Sequence, residues 1–137
     1  MSELYNPESI PFTPQWTGVW VEAADTGRTL FLLRSRFEPL QPYVWGWPGG
    51  GPERGESLLE GALREFWEET GYEGSLTITG EIRLEDFKSI TYRVTVPREF
   101  IPRLNFEHAS WTWVGRPIPI EALHPGVVGA QLAWEQE

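Results

Sequence analysis

Short apolar runs alternate with polar and glycine-rich breaks along this chain, and their period changes once, between residues 57 and 71. Thr17 to Glu22 and Arg28 to Ser35 have the β-branched and aromatic character of strands. Asp25-Thr26-Gly27 is a turn signal between them. Phe37 to Tyr43 contains Pro39 and Pro42 and reads as loop, and Trp45 to Trp47 reads as a short strand leading into a glycine-rich segment. Further on, Leu76 to Leu84 and Ile90 to Val96 are two more strands connected through Leu84 to Lys88, and Trp111 to Val114 is another. Pro119 to Leu123 reads as a helix opening at a proline, and Val127 to Glu135 as a C-terminal helix. No internal repeat or low-complexity tract interrupts the series. The pattern predicts a mixed sheet with helices on its faces.

The break in period marks the best-specified element. Ser57 with Glu60 three residues on forms a capping box. Gly71 is placed to end the helix in the left-handed conformation. Leu59, Ala62, Leu63 and Phe66 form one apolar stripe between these caps. Glu65, Glu68 and Glu69 stand at i, i+3 and i+4, so they are neighbours on the helix surface. Like charges at that spacing repel, and the last helical turn already disfavours negative charge through the macrodipole. A divalent cation would relieve the repulsion, and oxygen donors suit Mg²⁺ or Mn²⁺. Taken by themselves, the acids also read as an ordinary solvated face. On either reading the helical period places these carboxylates partly exposed, at the edge of a groove.

Composition narrows the class. A chain of 137 residues is expected to form one domain, spanning residues 1–137. It has no cysteine, which excludes a disulfide framework and a zinc–thiolate site. No apolar run approaches the roughly 18 residues of a membrane span. Met1 to Pro14 lacks the basic and apolar regions of a signal peptide, so a cytoplasmic location is the expectation by elimination. The net charge of −9 argues against a broad nucleic-acid surface. It leaves a small polyanionic substrate open, because bound metal ions invert the local field.

The segment Gly50 to Tyr72 resembles the Nudix box. Gly50, Glu56, Arg64, Glu65, Phe66, Glu68, Glu69, Gly71 and Tyr72 fill its defined positions. The likeness extends to Leu30-Phe31-Leu32-Leu33-Arg34 and Trp47-Pro48-Gly49-Gly50 before the box, and to Glu107-His108 and Trp111-Thr112-Trp113-Val114 after it. The resemblance implies the Nudix fold, a mixed β-sheet sandwiched between helices (α/β/α). It also implies a Mg²⁺-dependent hydrolase, with Mn²⁺ as the other candidate ion. Such an enzyme cleaves the pyrophosphate bond of a nucleoside diphosphate linked to another moiety X, by direct attack of water on phosphorus.

Carried over residue by residue, the resemblance makes Glu65, Glu68 and Glu69 metal ligands, joined by a backbone carbonyl of Gly49 or Gly50. Glu56 belongs to the same set, orienting Arg64 or a metal-bound water, and Arg64 holds the acidic cluster together. Glu107 is the first choice for general base, with Glu69 and His108 as the other proton acceptors considered. Arg34 and Arg36 are candidates for phosphate contacts, for which guanidinium forks are well shaped. Trp16, Trp20, Trp45, Trp47 and Trp111 fall near segments that could line a pocket. The expected partner is a small nucleotide; a homodimer is one candidate assembly, and the oligomeric state stays open. Subfamily markers downstream of the box, a proline or a tyrosine, are not met around Phe87-Lys88-Ser89, so X stays open. The alternatives are a catalytically silent nucleotide- or protein-binding domain on the same fold and an RNA 5′-end pyrophosphohydrolase. An isomerase on this scaffold would need a catalytic cysteine, which the chain lacks.

Overall fold

The structure is a computed structural model that describes residues 14–39, 42–85, 88–115 and 127. Continuous elements among the described residues follow in this order: β1 (Trp16–Ala23), β2 (Thr29–Arg34), β3 (Trp45–Gly46), β4 (Gly49–Gly50), α1 (Leu58–Thr70), β5 (Thr77–Leu84), β6 (Ser89–Val96) and β7 (His108–Val114). They form one mixed sheet in which β1 is the hub. β1 runs parallel to β6 along its whole length, from Trp16↔Ser89 to Ala23↔Val96. Its other edge is shared: β4 pairs with Thr17 and Gly18, and β2 joins antiparallel at Glu22↔Thr29. β2 then carries β3 and β7, both antiparallel, while β5 flanks β6. The expected helices at Pro119 to Leu123 and Val127 to Glu135 lie outside the described residues, apart from Val127, which is helical and buried. Among the described residues no helix is long and apolar enough to cross a membrane.

Alternation along β1 divides the apolar residues between two clusters. Val19, Val21 and Ala23 join Leu30, Leu32, Val94 and Val96 in the core that receives Ala62 and Phe66 of α1. Trp20 and Ile82 form the second cluster with Trp47 and Leu84 packed against them. Successive strand residues point to opposite faces, so the two clusters lie on the two sides of the sheet. Trp20 stacks on Trp47 with ring centroids 4.6 Å apart, and its indole N–H donates to Thr29 Oγ1 at 3.1 Å. Both tryptophans are therefore packing residues of this cluster.

The caps of α1 form as its sequence predicts. Ser57 Oγ accepts from the Glu60 N–H at 3.1 Å, and Glu60 Oε1 accepts from the Ser57 N–H at 2.8 Å. Gly71 adopts φ +70° and donates its N–H to the Trp67 carbonyl at 2.7 Å. The buried side includes Ala62, Phe66, Glu69 and Thr70. Glu69 is only 1% exposed, which corrects the expectation that all the carboxylates sit partly open at a groove edge. It follows Phe66 by three positions, about 60° from it around the helix axis, so it falls on the apolar stripe itself.

Two sheet features go beyond the sequence pattern. β4 is two glycines with no strand propensity, and it exists because β1 offers it partners at Thr17 and Gly18. β7 begins at His108, earlier than the apolar run at Trp111, because β2 extends the pairing to Arg34↔His108 across an irregularity in register.

Phe66 is 1% exposed and makes ring contacts with Tyr72 and Phe100 at 5.4 and 6.2 Å. Phe66→Ala is expected to cost about 3–5 kcal/mol of folding free energy. Urea denaturation would read this as a lower midpoint at unchanged slope. A loss below about 1 kcal/mol would mean that α1 does not anchor this core.

Candidate metal centre

The site is assembled where the C-terminal half of α1 meets β4 and the segment leading into β7. Gly49 N–H donates to Glu69 Oε1 at 2.9 Å. Beside it, a Cβ built on Gly50 would stand 2.7 Å from the Glu65 carboxyl carbon, so only glycine leaves room for that carboxylate. The Gly50 carbonyl accepts from Thr17 Oγ1 at 3.0 Å, which ties the glycine turn to the hub strand. Glu69 lies close enough to both Glu65 and Glu107 for their carboxyl groups to interact. The three carboxyl groups thus form one connected cluster.

Burial dominates the electrostatics here. It raises the proton affinity of Glu69 well above the ordinary carboxyl value, and the adjacent Glu65 and Glu107 raise it further, against the opposing Gly49 N–H. Glu65 is raised too, by burial first, with Arg64 acting in the opposite direction. A proton shared among these groups relieves their repulsion, and a divalent cation would relieve it more completely.

Arg64 organises the outer side of the cluster. Its Nε donates to Glu56 Oε2 at 2.8 Å and its Nη2 to Glu56 Oε1 at 3.2 Å, a two-pronged pair. Nη1 reaches Glu65 and Glu68, each at 3.1 Å, and Nη2 also reaches the Gly51 carbonyl at 3.2 Å. The arginine is therefore committed to holding the box together. Both Glu56 oxygens are engaged, one of them also accepting from the Glu53 N–H at 2.8 Å, and the hydrogen bond from Arg64 is the main cause of its lowered pKa. This leaves Glu56 positioned to orient Arg64. Glu68 sits at the exposed margin of the group.

Glu107 and His108 come from a pinned loop. Glu107 N–H donates to Asn105 Oδ1 at 3.1 Å, its carbonyl accepts from the Ser35 N–H at 2.8 Å, and His108 N–H reaches the Asn105 carbonyl at 3.3 Å. The register of β2 and β7 shifts here, with Leu33 opposite Ser110 and Arg34 opposite His108. Bulges of this kind re-aim side chains. Glu69, Glu107 and His108 each offer a ligand atom within 4.8 Å of the others. His108 is 8% exposed, and its Nδ1 is buried without a hydrogen-bond partner. Burial, helped by nearby Arg34, lowers its pKa to about 4, so the imidazole is neutral near pH 7.

The other expected residues divide. Arg34 lies beside His108 and 4.0 Å from Glu38, at the border of the cluster. Arg36 stacks over the exposed Phe37 ring at 4.8 Å and is not brought into the site. Next to the carboxylates is an open groove of about 470 Å³ lined by Trp67, Glu68, Arg103, Asn105, Phe106 and Glu107. Trp67 and Phe106 are 51% and 87% exposed, and the Trp67 indole N–H is held by Glu73 at 3.2 Å. Sequence reasoning weighed other tryptophans for a pocket and missed this one. The available signal was its place on the polar side of α1, where an exposed indole has no packing duty. The donor set fits a hard divalent cation: clustered carboxylates, a cradle that a Cβ would fill, and a buried nitrogen lacking a partner.

A fold of this topology, with an acidic helix facing a glycine turn, defines a family, and the chain belongs to it: the NUDIX domain model matches residues 14–125. The m7GpppN-mRNA hydrolase NUDT17 of Homo sapiens is 44% identical over 55 residues, covering 39% of this chain and 17% of that protein. A putative 8-oxo-dGTP diphosphatase of Bacillus subtilis is 37% identical over 60 residues, covering 44% of this chain and 38% of that protein. The chain therefore spans well under half the length of these curated relatives. Among solved structures, a Nudix hydrolase from M. smegmatis, RenU, superposes with a TM-score of 0.76 over 90% of this chain and 84% of that one, at 17% identity. That likeness concerns the fold.

The buried carboxyl has a consequence for stability without a cation. The unfolded chain releases the Glu69 proton near the ordinary value of 4.5, while the fold retains it to higher pH. Above about pH 4.5 the unfolded state thus binds fewer protons, and this group makes stability fall as pH rises. His108 acts oppositely, adding stability as pH rises from about 4 to its ordinary 6.5. Comparing variants isolates the first effect. In EDTA, Glu69→Gln should raise the urea midpoint at about pH 7.5, and the advantage should shrink toward about pH 4.5. A variant no more stable than the parent at the higher pH would contradict the buried-charge assignment.

Proposed function

We propose that this protein is a divalent-cation-dependent pyrophosphohydrolase that cleaves a nucleoside diphosphate linked to a moiety X, with Mg²⁺ or Mn²⁺ as the ion. The observation that carries the reading is the convergence of Glu65 and Glu69 on the Gly49–Gly50 turn, with Glu107 beside Glu69 and an open groove next to them. Glu65, Glu68 and Glu69 would hold the ion, with the Gly50 carbonyl as a further oxygen. When bound, the ion supplies charge neutralisation of the diphosphate and acidification of a water.

The chain's own residues do the rest. Glu107 is half-buried, fixed through its backbone at both sides, and in contact with Glu69. It takes the proton of the attacking water, a role that requires a carboxylate within reach of the phosphorus-bound face. Arg64 keeps the glutamates in place during turnover, because its donors are already engaged by Glu56, Glu65, Glu68 and Gly51. Glu69 keeps its low-dielectric position so that its charge acts on the ion with little screening. In the groove, Trp67 and Phe106 offer open aromatic faces for a base, and Arg103 offers a guanidinium for phosphate. The names of the relatives, an m7GpppN-mRNA hydrolase and a putative 8-oxo-dGTP diphosphatase, support a nucleotide as the substrate class.

The test is incubation with Mg²⁺ and a panel of normal and oxidised triphosphates, ADP-ribose, nucleotide sugars, dinucleoside polyphosphates and 5′-triphosphate RNA. Cleavage of one class, dependent on the cation, names X. In H₂¹⁸O the label should enter a single phosphate product. Glu107→Gln is expected to lower kcat by roughly 10²–10⁴-fold with little change in KM. No turnover with either Mg²⁺ or Mn²⁺ would favour a silent binding domain.

A further inference from the structure

We infer that His108 is a metal ligand, completing with Glu69 and Glu107 a mixed imidazole–carboxylate position that prefers a first-row transition ion such as Mn²⁺ to Mg²⁺. The inference rests on the reading of the acidic cluster as a cation site and adds a nitrogen donor to it.

Geometry carries the proposal. The ligand atoms of Glu69, Glu107 and His108 lie within 4.8 Å of one another, close to the span of donors around one small ion. His108 is more than nine-tenths buried, yet its Nδ1 has no partner. A buried, unpartnered polar nitrogen costs stability unless something satisfies it. A cation does so without needing a protein donor. The loop is built to keep the imidazole there: Asn105 takes the backbone N–H groups of both Glu107 and His108, and Ser35 takes the Glu107 carbonyl. Glu107 lies in the turn before β7 and His108 opens the strand, so the two consecutive residues are not held to the opposite faces of a regular strand.

Ion choice follows from the donors. Mg²⁺ favours an all-oxygen shell and retains its waters. An imidazole nitrogen shifts affinity toward Mn²⁺ and the later first-row ions. Glu107 contributes one oxygen to the ion and keeps the other for the proton transfer assigned above.

The experiment uses the intact, tag-free protein loaded with Mn²⁺ alone. Electron spin-echo modulation of the bound Mn²⁺ should contain a ¹⁴N component from directly coordinated imidazole. Calorimetry should give tighter binding of Mn²⁺ than of Mg²⁺. In His108→Asn the nitrogen component should vanish. Mn²⁺ affinity should fall by at least the ~10-fold that even an outer-shell loss costs, with a smaller change for Mg²⁺. Bound Mn²⁺ without nitrogen modulation in the parent protein would overturn the inference and leave the acidic site standing. Failure of either ion to bind would overturn both. The parent spectrum decides the matter even if the variant does not fold.

Discussion

Everything at the centre of this protein depends on one carboxyl group placed where a hydrophobic side chain would ordinarily go. Glu69 lies on the apolar stripe of α1, 1% exposed, with Gly49 N–H as its donor and two other carboxyls in contact. A charge in that position is costly unless paired, and the described residues place no cation side chain against it. The surrounding structure serves to make the position tenable. The glycine turn brings a backbone donor to it, and Arg64 draws the outer glutamates aside. The caps at Ser57 and Gly71 fix where the helix starts and stops, and therefore which residue faces inward.

The sheet provides the rigidity this requires. β1 is held on one side by a full-length parallel pairing with β6 and on the other by β4 and β2 in succession. Because its second edge is shared, a gap opens between β4 and β2, and the turn carrying Gly49 and Gly50 sits at that edge, under α1. On β2, the pairing with β7 runs as far as Arg34↔His108, and the turn just before it carries Glu107, so both residues arrive beside Glu69. Site and scaffold are thus the same set of backbone hydrogen bonds viewed from two sides. The cost of the buried acid is offset by the core of Val19, Val21, Leu30, Leu32 and Phe66 beside it.

Charge gives the site a direction. The chain carries a net −9, and the groove that opens beside the cluster is lined by Glu68 and Glu107 as well as Arg103. A polyanion would be repelled from such a surface. Under the proposed function, cations held by the cluster reverse that field locally, which makes metal loading a condition of substrate approach as well as of chemistry.

Much of this was legible in the residues alone, wherever the signal is local. The capping box, the helix span, the strand positions and the box positions from Gly50 to Tyr72 depend on neighbours in sequence, and short-range sterics and hydrogen bonding decide them. The burial of Glu69 is equally a matter of helical phase, but a charged side chain ordinarily overrides phase and points to partial exposure. Other features had no local signal. Gly49–Gly50 becomes a strand only because β1 lies alongside. Arg34 and Arg36 are two residues apart, yet one borders the site and the other stacks on Phe37, since β2 ends between them. His108 reads as an isolated histidine until the pairing of β7 with β2 brings it to Glu69, 39 positions earlier in the chain. The sequence by itself determined which groups could bear charge and where α1 and the longer strands lie. Tertiary structure decided which of those groups meet, because pairing register and the edge of a shared strand are properties of segments far apart along the chain.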